Sequence, residues 1–360
     1  MALERYVVVA AAPRIAPASR EVRVYSSTFD ESQSIELGQA YRPARSGWIS
    51  YIEGVVALFS QVQGNQIKGC KAQTIPAFDA VIGSSIPVGA GLASSAALEV
   101  ATATAIEALT GRQLQPLQKA LLCQKAEHEF VGVPCGIMDQ FSSVLGRAGE
   151  LVLIDCRTQE FDFVPFADNE VSVLITNSKV QRELVDCQYA TRREECDSAL
   201  RKLATQSWRD VTIDQLENAG QILTKTEFRR AGHVISETNR TVNMANALRN
   251  SDWETAGRLM YESHDSLRDD FEVSCRELDL LVEIAKDIGS QKGLIGSRMT
   301  GGGFGGCTVS LVRNEFRDSI IENLTNQYRK ATGIEATCFS SRPSRGAHVL
   351  KNIEPKRPAV

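Results

Sequence analysis

The stretch Pro87-Val-Gly-Ala-Gly-Leu-Ala-Ser-Ser-Ala96 runs directly into an alanine-rich segment that extends to Leu109. Alanine has the strongest helix propensity and Gly111 is a typical stop signal, so the segment predicts a closely packed helix. Free N–H groups and the positive dipole end at a helix start bind phosphate, and glycines let the backbone approach the anion. The stretch therefore predicts a phosphate-binding loop; the alternative is a glycine-serine turn packed against small helix residues.

Two familiar phosphate motifs do not fit this loop. A Walker loop ends in Gly-Lys-Ser or Gly-Lys-Thr, and the stretch contains no lysine. A dinucleotide fingerprint requires a third glycine where Ser94 stands, and the segments that follow do not alternate between strand and helix. Phosphate binding of another kind is therefore indicated.

The composition favours a small-molecule partner in a reducing compartment. The 360 residues are 43% hydrophobic, which suffices for a large core and suggests two domains. A formal net charge of -4 gives no general attraction to nucleic acid or to an anionic membrane. Nine cysteines without a C-x-x-C pair favour free thiols and a cytoplasmic location. The apolar run at residues 6–12 has strand length and follows Glu4 and Arg5, so it predicts a strand rather than a signal peptide.

Hydrophobic periodicity predicts a mixed N-terminal half and a mainly helical C-terminal half. The predicted strands span residues 6–12, 22–28, 78–84, 150–156, 171–177, 307–312 and about 335–340. The predicted helices span residues 48–59, 94–109, 116–130 and about 315–331, with further helices from 181 to about 289. The first two strands are predicted to form a hairpin. The change of character near residue 180 predicts domains at 1–180 and 181–352 and a tail at 353–360.

Three helix starts in the C-terminal half have the spacing of a capping box, in which two side chains satisfy exposed backbone N–H groups. The pairs are Thr224 with Glu227, Ser251 with Glu254, and Ser274 with Glu277. Each pair predicts the first turn of a helix.

Two acidic residues after the loop are candidates for catalysis. A magnesium ion bound to a triphosphate needs hard oxygen ligands, which Ser95 in the first turn of the predicted helix and Glu127 in the next helix could supply. Asp139 follows the turn Gly132-Val-Pro-Cys-Gly-Ile-Met138, and a helix start there would favour an ionised carboxylate able to accept a proton from a hydroxyl. The alternatives are a solvated helix residue for Glu127 and an ordinary first-turn acid for Asp139.

The segment Gly296-Ser-Arg-Met-Thr-Gly-Gly-Gly-Phe-Gly-Gly306 contains five glycines within its last six residues. Glycine loses more conformational freedom on ordering than any other residue, and a mere linker between a helix and a strand would not require so many. Close approach of the backbone to a ligand explains the run better.

Together these segments resemble the galactokinases of the GHMP kinase superfamily across nearly the whole chain. Residues 87–96 are similar to the family's second, phosphate-binding motif, and residues 296–308 to its third, glycine-rich motif. Residues 135–140 (Cys-Gly-Ile-Met-Asp-Gln) and 268–275 (Arg-Asp-Asp-Phe-Glu-Val-Ser-Cys) are similar to segments typical of galactokinases. Several long motifs in the family's order make the resemblance highly specific.

The resemblance implies an α+β fold of two domains: an N-terminal α/β domain like that of ribosomal protein S5, and a C-terminal ferredoxin-like α+β domain with inserted helices. It implies that the chain uses ATP and Mg²⁺ to phosphorylate galactose at the C1 hydroxyl, the first step of galactose catabolism in the Leloir pathway. The products would be galactose 1-phosphate and ADP. The implied partners are the sugar and ATP, without nucleic acid or membrane, and the chain is expected to be a cytoplasmic monomer.

The resemblance also implies roles for matching positions of this sequence. The residues implied to bind ATP are Gly89, Ala90, Gly91, Leu92, Ala93, Ser94, Ser95 and Trp48. The residues implied to bind the sugar and the transferred phosphate are Gly136, Asp139, Tyr189, Gly302 and Gly303. Asp139 is implied to be the catalytic carboxylate facing the C1 hydroxyl, and Ser95 and Glu127 to contact Mg²⁺. For Trp48, implied to lie near the adenine, a core position on an apolar helix face is the alternative.

The sequence departs from the family at its N-terminus. Galactokinases begin with the signature Gly-Glu-His-Thr-Asp-Tyr, preceded by an arginine, whereas this sequence begins Met-Ala-Leu-Glu-Arg-Tyr-Val. None of the four histidines, which are His128, His233, His264 and His348, lies in such a context. A truncated chain or a degenerate paralogue is therefore expected. A non-catalytic sensor of sugar and ATP stays an alternative function, and N-acetylgalactosamine an alternative substrate.

Overall fold

The computed structural model describes residues 1–14, 20–38, 47–62, 65–66, 74–180 and 185–350. Its strands are β1 (Val7–Pro13), β2 (Glu21–Ser26), β3 (Glu31–Glu36), β4 (Asn65–Gln66), β5 (Phe78–Ser84), β6 (Arg112–Gln113), β7 (Glu150–Ile154), β8 (Phe161–Pro165), β9 (Val171–Asn177), β10 (Leu294–Met299), β11 (Cys307–Arg313) and β12 (Thr337–Ser341). Its α-helices are α1 (Ile49–Gln61), α2 (Ser94–Thr110), α3 (Pro116–Ala126), α4 (Met138–Leu145), α5 (Val185–Lys202), α6 (Ile213–Asn218), α7 (Lys225–Arg249), α8 (Trp253–Asp269), α9 (Arg276–Ile288) and α10 (Arg317–Thr332).

The chain forms two compact units. The first contains Met1–Ile86, Ser94–Arg147 and a C-terminal segment that begins at Arg345, and the second contains Pro87–Ala93 and Ala148–Ser344. The domains predicted at 1–180 and 181–352, with a tail at 353–360, stay a prediction. Residues 181–184 and 351–360 lie outside the described residues. Within the described ranges, no helix combines the length and apolar character that crossing a bilayer requires.

The first unit is built on a sheet with the strand order β1-β5-β2-β3. Side chains alternate between its two faces, and the inward set, which includes Val24 and Ile35, joins Val55 and Phe59 of α1 in one hydrophobic core. β5 pairs antiparallel with β1 and parallel with β2. The hairpin predicted from the first two strands is therefore wrong. The strand after the turn instead pairs with β3, a strand that its polar sequence Glu31-Ser-Gln-Ser-Ile-Glu36 did not reveal.

The second unit contains an antiparallel sheet with the strand order β10-β11-β9-β12. β9 is buried along its whole length, and α9 and α10 contribute Leu281 and Leu324 to the core beside it. α8 passes very close to β10 because two facing glycines lack side chains. A Cβ on Gly257 would lie 2.0 Å from the carbonyl oxygen of Ile295. Gly296 thus allows α8 to pack closely on β10. The sequence had suggested that it belongs with the ligand-binding glycines of residues 296–306.

All three predicted helix starts are confirmed, but only Thr224 with Glu227 forms the capping box that its spacing predicts. α8 is capped by Asp252, whose side chain accepts the N–H of Thr255, and Ser251 precedes it with a left-handed φ of 54°. α9 begins after Cys275, which makes no side-chain cap. The hydroxyl of Ser274 donates instead to Asp279, at 2.5 Å, because an acid on the first turn outcompetes the backbone.

Candidate active site

The two glycine-rich stretches of the sequence meet in the second unit. A Cβ on Gly301 would lie 2.8 Å from the carbonyl oxygen of Gly91, and a Cβ on Gly306 would lie 2.8 Å from that of Ala90. Any side chain at these positions would therefore force the two stretches apart. The predicted phosphate-binding loop, residues 87–93, is thus packed directly on the glycine-rich loop, residues 301–306; we keep the name phosphate-binding loop for this prediction.

The phosphate-binding loop has the backbone conformation that its glycines predict. Gly89 and Gly91 have left-handed φ angles of 68° and 69° and are exposed residues. Ala93 is also left-handed, at 55°, which costs about 1 kcal/mol or more for a residue with a Cβ. Such strain is common where a loop is shaped for a ligand. α2 begins at the next residue, Ser94, as predicted.

A cluster of buried acids lies in the first unit. Glu127, in a π-helical turn (Glu127–Val131) after α3, is 5% exposed, and Glu99 on α2 is fully buried. The side-chain amide of Gln140 donates to both carboxylates, at 2.8 Å to Glu127 and 3.2 Å to Glu99. The thiol of Cys135 also donates to Glu127, at 3.3 Å. Glu127 is therefore a fixed, buried acceptor rather than a solvated helix residue.

Glu99 is held in its neutral form. Burial, and then the charge of Glu127, raise its pKa from 4.5 to about 9. Its Oε1 and the Oε1 of Gln140 have no hydrogen-bond partner among the described residues. Two unpartnered buried oxygens beside a carboxylate leave capacity for a bound cation or water. Glu99 lies one helical turn after Ser95, so the two side chains project from the same face of α2.

Asp139 lies in the first turn of α4 and is half-buried. Burial, followed by the charge of Glu127, raises its pKa. The helix start is expected to favour the ionised form of Asp139, and burial and the charge of Glu127 act against that expectation. Gly136, three residues earlier, is exposed, and a Cβ there would meet nothing within 4 Å. The backbone before Asp139 thus borders open space.

The remaining predicted residues have mixed environments. The ring of Trp48 stacks on Phe29, with ring centroids 6.2 Å apart, and its Nε1 donates to Glu31 at 3.1 Å. Tyr189 lies on α5, and its side chain is outside the described part of the chain. Gly302 is exposed, whereas Gly303 faces protein: a Cβ there would lie 2.2 Å from the carbonyl oxygen of Val273.

The oxygen donors of the first unit fit a hard cation such as Mg²⁺. Ser95 is half-buried at the start of α2, and Glu127 adds a buried carboxylate. No group of three or more His, Cys, Asp or Glu side chains in the described ranges could hold a metal by itself. Mg²⁺ retains several waters and commonly takes only one or two protein ligands, so the small donor set is compatible with it.

Sequence reasoning missed Glu99 and Gln140. Glu99 is a single acid within an alanine-rich helix, and an isolated charge in such a segment was the available signal. Gln140 follows Asp139 directly and has no distinguishing pattern of its own. Their role depends on contacts between residues 41 positions apart, which periodicity does not reveal.

We expect the variant Glu99→Gln to make stability less dependent on pH. The folded state holds the Glu99 proton up to a pKa of about 9, whereas the unfolded chain releases it near 4.5. This group's contribution to stability is therefore complete at low pH and is lost as pH rises through that window. Glutamine cannot ionise, so the melting temperature of the variant should gain on wild type from about pH 5 to about pH 9 in EDTA. A constant difference, or an equal gain by the exposed Glu129→Gln, would contradict the assignment.

Family models match both halves of the chain. The model "GHMP kinases N terminal domain" matches residues 50–147, and the model "GHMP kinases C terminal" matches residues 244–330. The chain therefore belongs to the GHMP kinase family.

Similar proteins and solved structures indicate which group of GHMP kinases this chain resembles. Galactokinase from Bos taurus is 42% identical over 355 residues, which cover 97% of this chain and 86% of the relative. Galactokinase from Roseiflexus sp. (strain RS-1) is 41% identical over 364 residues, covering 99% and 88%. Lactococcus lactis galactokinase, solved with galactose, superposes with a TM-score of 0.87 at 27% identity, covering 96% of this chain and 87% of that one. Within the family the chain groups with the galactokinases, which are sugar kinases.

These comparisons bear on the predictions made from sequence. The resemblance to galactokinases and the two-domain α+β GHMP fold are confirmed. Methanococcus jannaschii mevalonate kinase, at 19% identity and a TM-score of 0.63, shares the fold alone. The roles of individual site residues stay predictions.

Proposed function

We propose that the chain is an active galactokinase, which transfers the γ-phosphate of ATP to the C1 hydroxyl of galactose and releases galactose 1-phosphate and ADP. The observation that carries the proposal is the identity of 41–42% to galactokinases over 97–99% of the chain. The galactose bound to the Lactococcus lactis relative supports the same sugar. The protein is proposed to act as a cytoplasmic monomer.

In this proposal the backbone of the phosphate-binding loop binds the ATP phosphates. The N–H groups of the exposed residues Gly89 and Gly91 and the start of α2 at Ser94 offer several donors and the positive end of a helix dipole. Because these donors are fixed before the nucleotide arrives, they stabilise developing charge without reorganising.

Ser95 and Glu127 are proposed to hold Mg²⁺, which when bound neutralises charge on the phosphoryl oxygens. Gln140 and Cys135 donate hydrogen bonds to Glu127 and fix the orientation of its carboxylate. Hydrogen bonds of this kind to a metal-ligating side chain usually increase the affinity of the site for its metal.

Asp139 is proposed to orient the C1 hydroxyl and to accept its proton as the oxygen attacks the γ-phosphate. The O–H bond breaks towards the carboxylate, the new O–P bond forms, and ADP leaves. A raised pKa makes Asp139 a better base than an ordinary aspartate. Positioning and electrostatics supply most of the acceleration in phosphoryl transfer, so the orientation of Asp139 matters as much as its basicity.

A coupled assay of ADP release tests the proposal. We expect ADP release with Mg²⁺ and ATP to depend on galactose, and phosphorus NMR to detect a sugar 1-phosphate. Glucose and N-acetylgalactosamine serve as competing sugars. If galactose and ATP bind but ADP is not released, the chain is a sensor and the proposal is wrong.

A further inference from the structure

Three arginines of the second unit bind four consecutive backbone carbonyls. The carbonyls belong to the segment Asp269–Glu272, which follows α8. Arg229 donates to the first at 2.9 Å, Arg230 to the second, and Arg192 to the third and fourth at 2.8 and 3.2 Å. Arg192 comes from α5 and the other two from α7. We refer to these three side chains as the arginine clamp.

Ion pairs hold the arginine clamp in place. Arg230 has a side chain that is 1% exposed, and it pairs with Glu195 at 2.7 Å and with Glu272 at 2.6 Å. Arg229 donates to the other oxygen of Glu272, also at 2.6 Å. The segment is therefore held by its side chain as well as by its backbone. Removing a partner of a buried charge is strongly destabilising, so these ion pairs favour the observed position of Arg230.

The clamped segment supports the glycine-rich loop. Glu272 has a left-handed φ of 54°, and the next residue, Val273, turns its carbonyl to accept the N–H of Phe304 at 2.6 Å. Phe304 is itself left-handed, at 61°, in the middle of the glycine-rich loop. Gly303 lies so close to the same carbonyl that it has no room for a side chain. Strained residues on both sides of one hydrogen bond need a constraint. The arginine clamp holds the carbonyls up to Glu272, and the N–H of Val273 itself donates to the carbonyl of Leu267 at 3.0 Å.

We propose that the arginine clamp is a positioning device for nucleotide binding. By fixing the carbonyl of Val273, it holds Phe304 and hence the glycine-rich loop in the conformation that packs on the phosphate-binding loop. The inference rests on the proposed function for its consequence in catalysis. Its structural part, the control of the Phe304 amide by distant arginines, is independent of any activity.

Hydrogen exchange at the Phe304 amide tests the structural part. In Arg229→Met and Arg192→Met we expect this amide to exchange about tenfold faster or more. A hydrogen bond that loses its support opens more easily, and the net free energy of one hydrogen bond corresponds to a factor of about ten in the opening equilibrium. The side chain of Arg229 is 41% exposed, so its loss should leave the fold intact even if Arg230→Met does not fold. Arg258→Met, at an exposed arginine on α8 that pairs with Glu262, is the matched control and should leave the amide unchanged.

Nucleotide affinity tests the functional part. We expect the dissociation constant of ATP to rise by about tenfold in Arg229→Met and Arg192→Met, because the glycine-rich loop packs on the phosphate-binding loop, and to stay unchanged in the control Arg258→Met. Arg230→Lys should restore part of the affinity lost in Arg230→Met. Unchanged exchange at Phe304, or unchanged ATP affinity in both variants, would overturn the inference. An inactive wild-type enzyme with a normal exchange response would refute the proposed function alone.

Discussion

The variant Asp139→Asn is expected to lower kcat for galactose phosphorylation by about a thousandfold, within the range that a positioned general base contributes. Asparagine keeps the shape of the side chain and can still accept a hydrogen bond, but it cannot take the proton. Burial and the charge of Glu127 raise the pKa of Asp139, which matches it to that task. ATP affinity, measured by calorimetry, should remain within about twofold of wild type because the triphosphate is bound elsewhere in the proposal.

A second first-turn acid provides the control. Asp318 lies in the first turn of α10, is 87% exposed and pairs with Arg317. It therefore represents an ordinary first-turn acid, which is the alternative interpretation of Asp139. Asp318→Asn should leave turnover unchanged. If both variants behave alike, or if Asp139→Asn retains full turnover, Asp139 is not the base. Because Asp139 must be ionised to act, wild-type kcat should also fall as pH drops below its raised pKa.

The strands whose bounds the sequence predicted best are those with the clearest burial patterns. Residues 78–84 and 171–177 match β5 and β9 at both ends, since one alternates cleanly between faces and the other is buried throughout. β3 was missed because edge strands can be polar. Strand pairing was the harder problem: β1 and β2 are neighbours in sequence, yet β5 lies between them, some 50 residues further along the chain. Turn chemistry gives no information about such distant partners.

The residues of the candidate site also differ in how far the sequence could predict them. Residues that belong to a local motif, such as Asp139 and the two glycine loops, could be proposed as site residues from sequence. The residues that support them could not, because their effect arises from contacts made by folding. Gln140 connects two acids from different helices. Arg192 and Arg230, on α5 and α7, both bind the segment Asp269–Glu272 at the end of α8. Arginines on helices are ordinarily solvated, and nothing local distinguishes a buried one.

The variant Gly303→Ala is expected to destabilise the protein by roughly 3 kcal/mol and to abolish measurable ATP binding. Two penalties add at this position. A Cβ would lie 2.2 Å from the carbonyl oxygen of Val273, which the arginine clamp prevents from moving away, and the φ of 91° is strained for any residue but glycine. The loop must therefore shift, and it is the loop that packs on Gly91. Thermal unfolding and calorimetric titration with ATP measure the two effects.

Gly333→Ala separates the two penalties. Gly333 ends α10 with a left-handed φ of 75°, and a Cβ there would meet nothing within 4 Å. It should therefore carry only the conformational cost, about 1 kcal/mol, and leave ATP binding intact. The stability that Gly303→Ala loses beyond the loss in Gly333→Ala then measures the effect of the contact with Val273. If the two variants lose equal stability, the carbonyl of Val273 can move freely, and the arginine clamp does not constrain the loop.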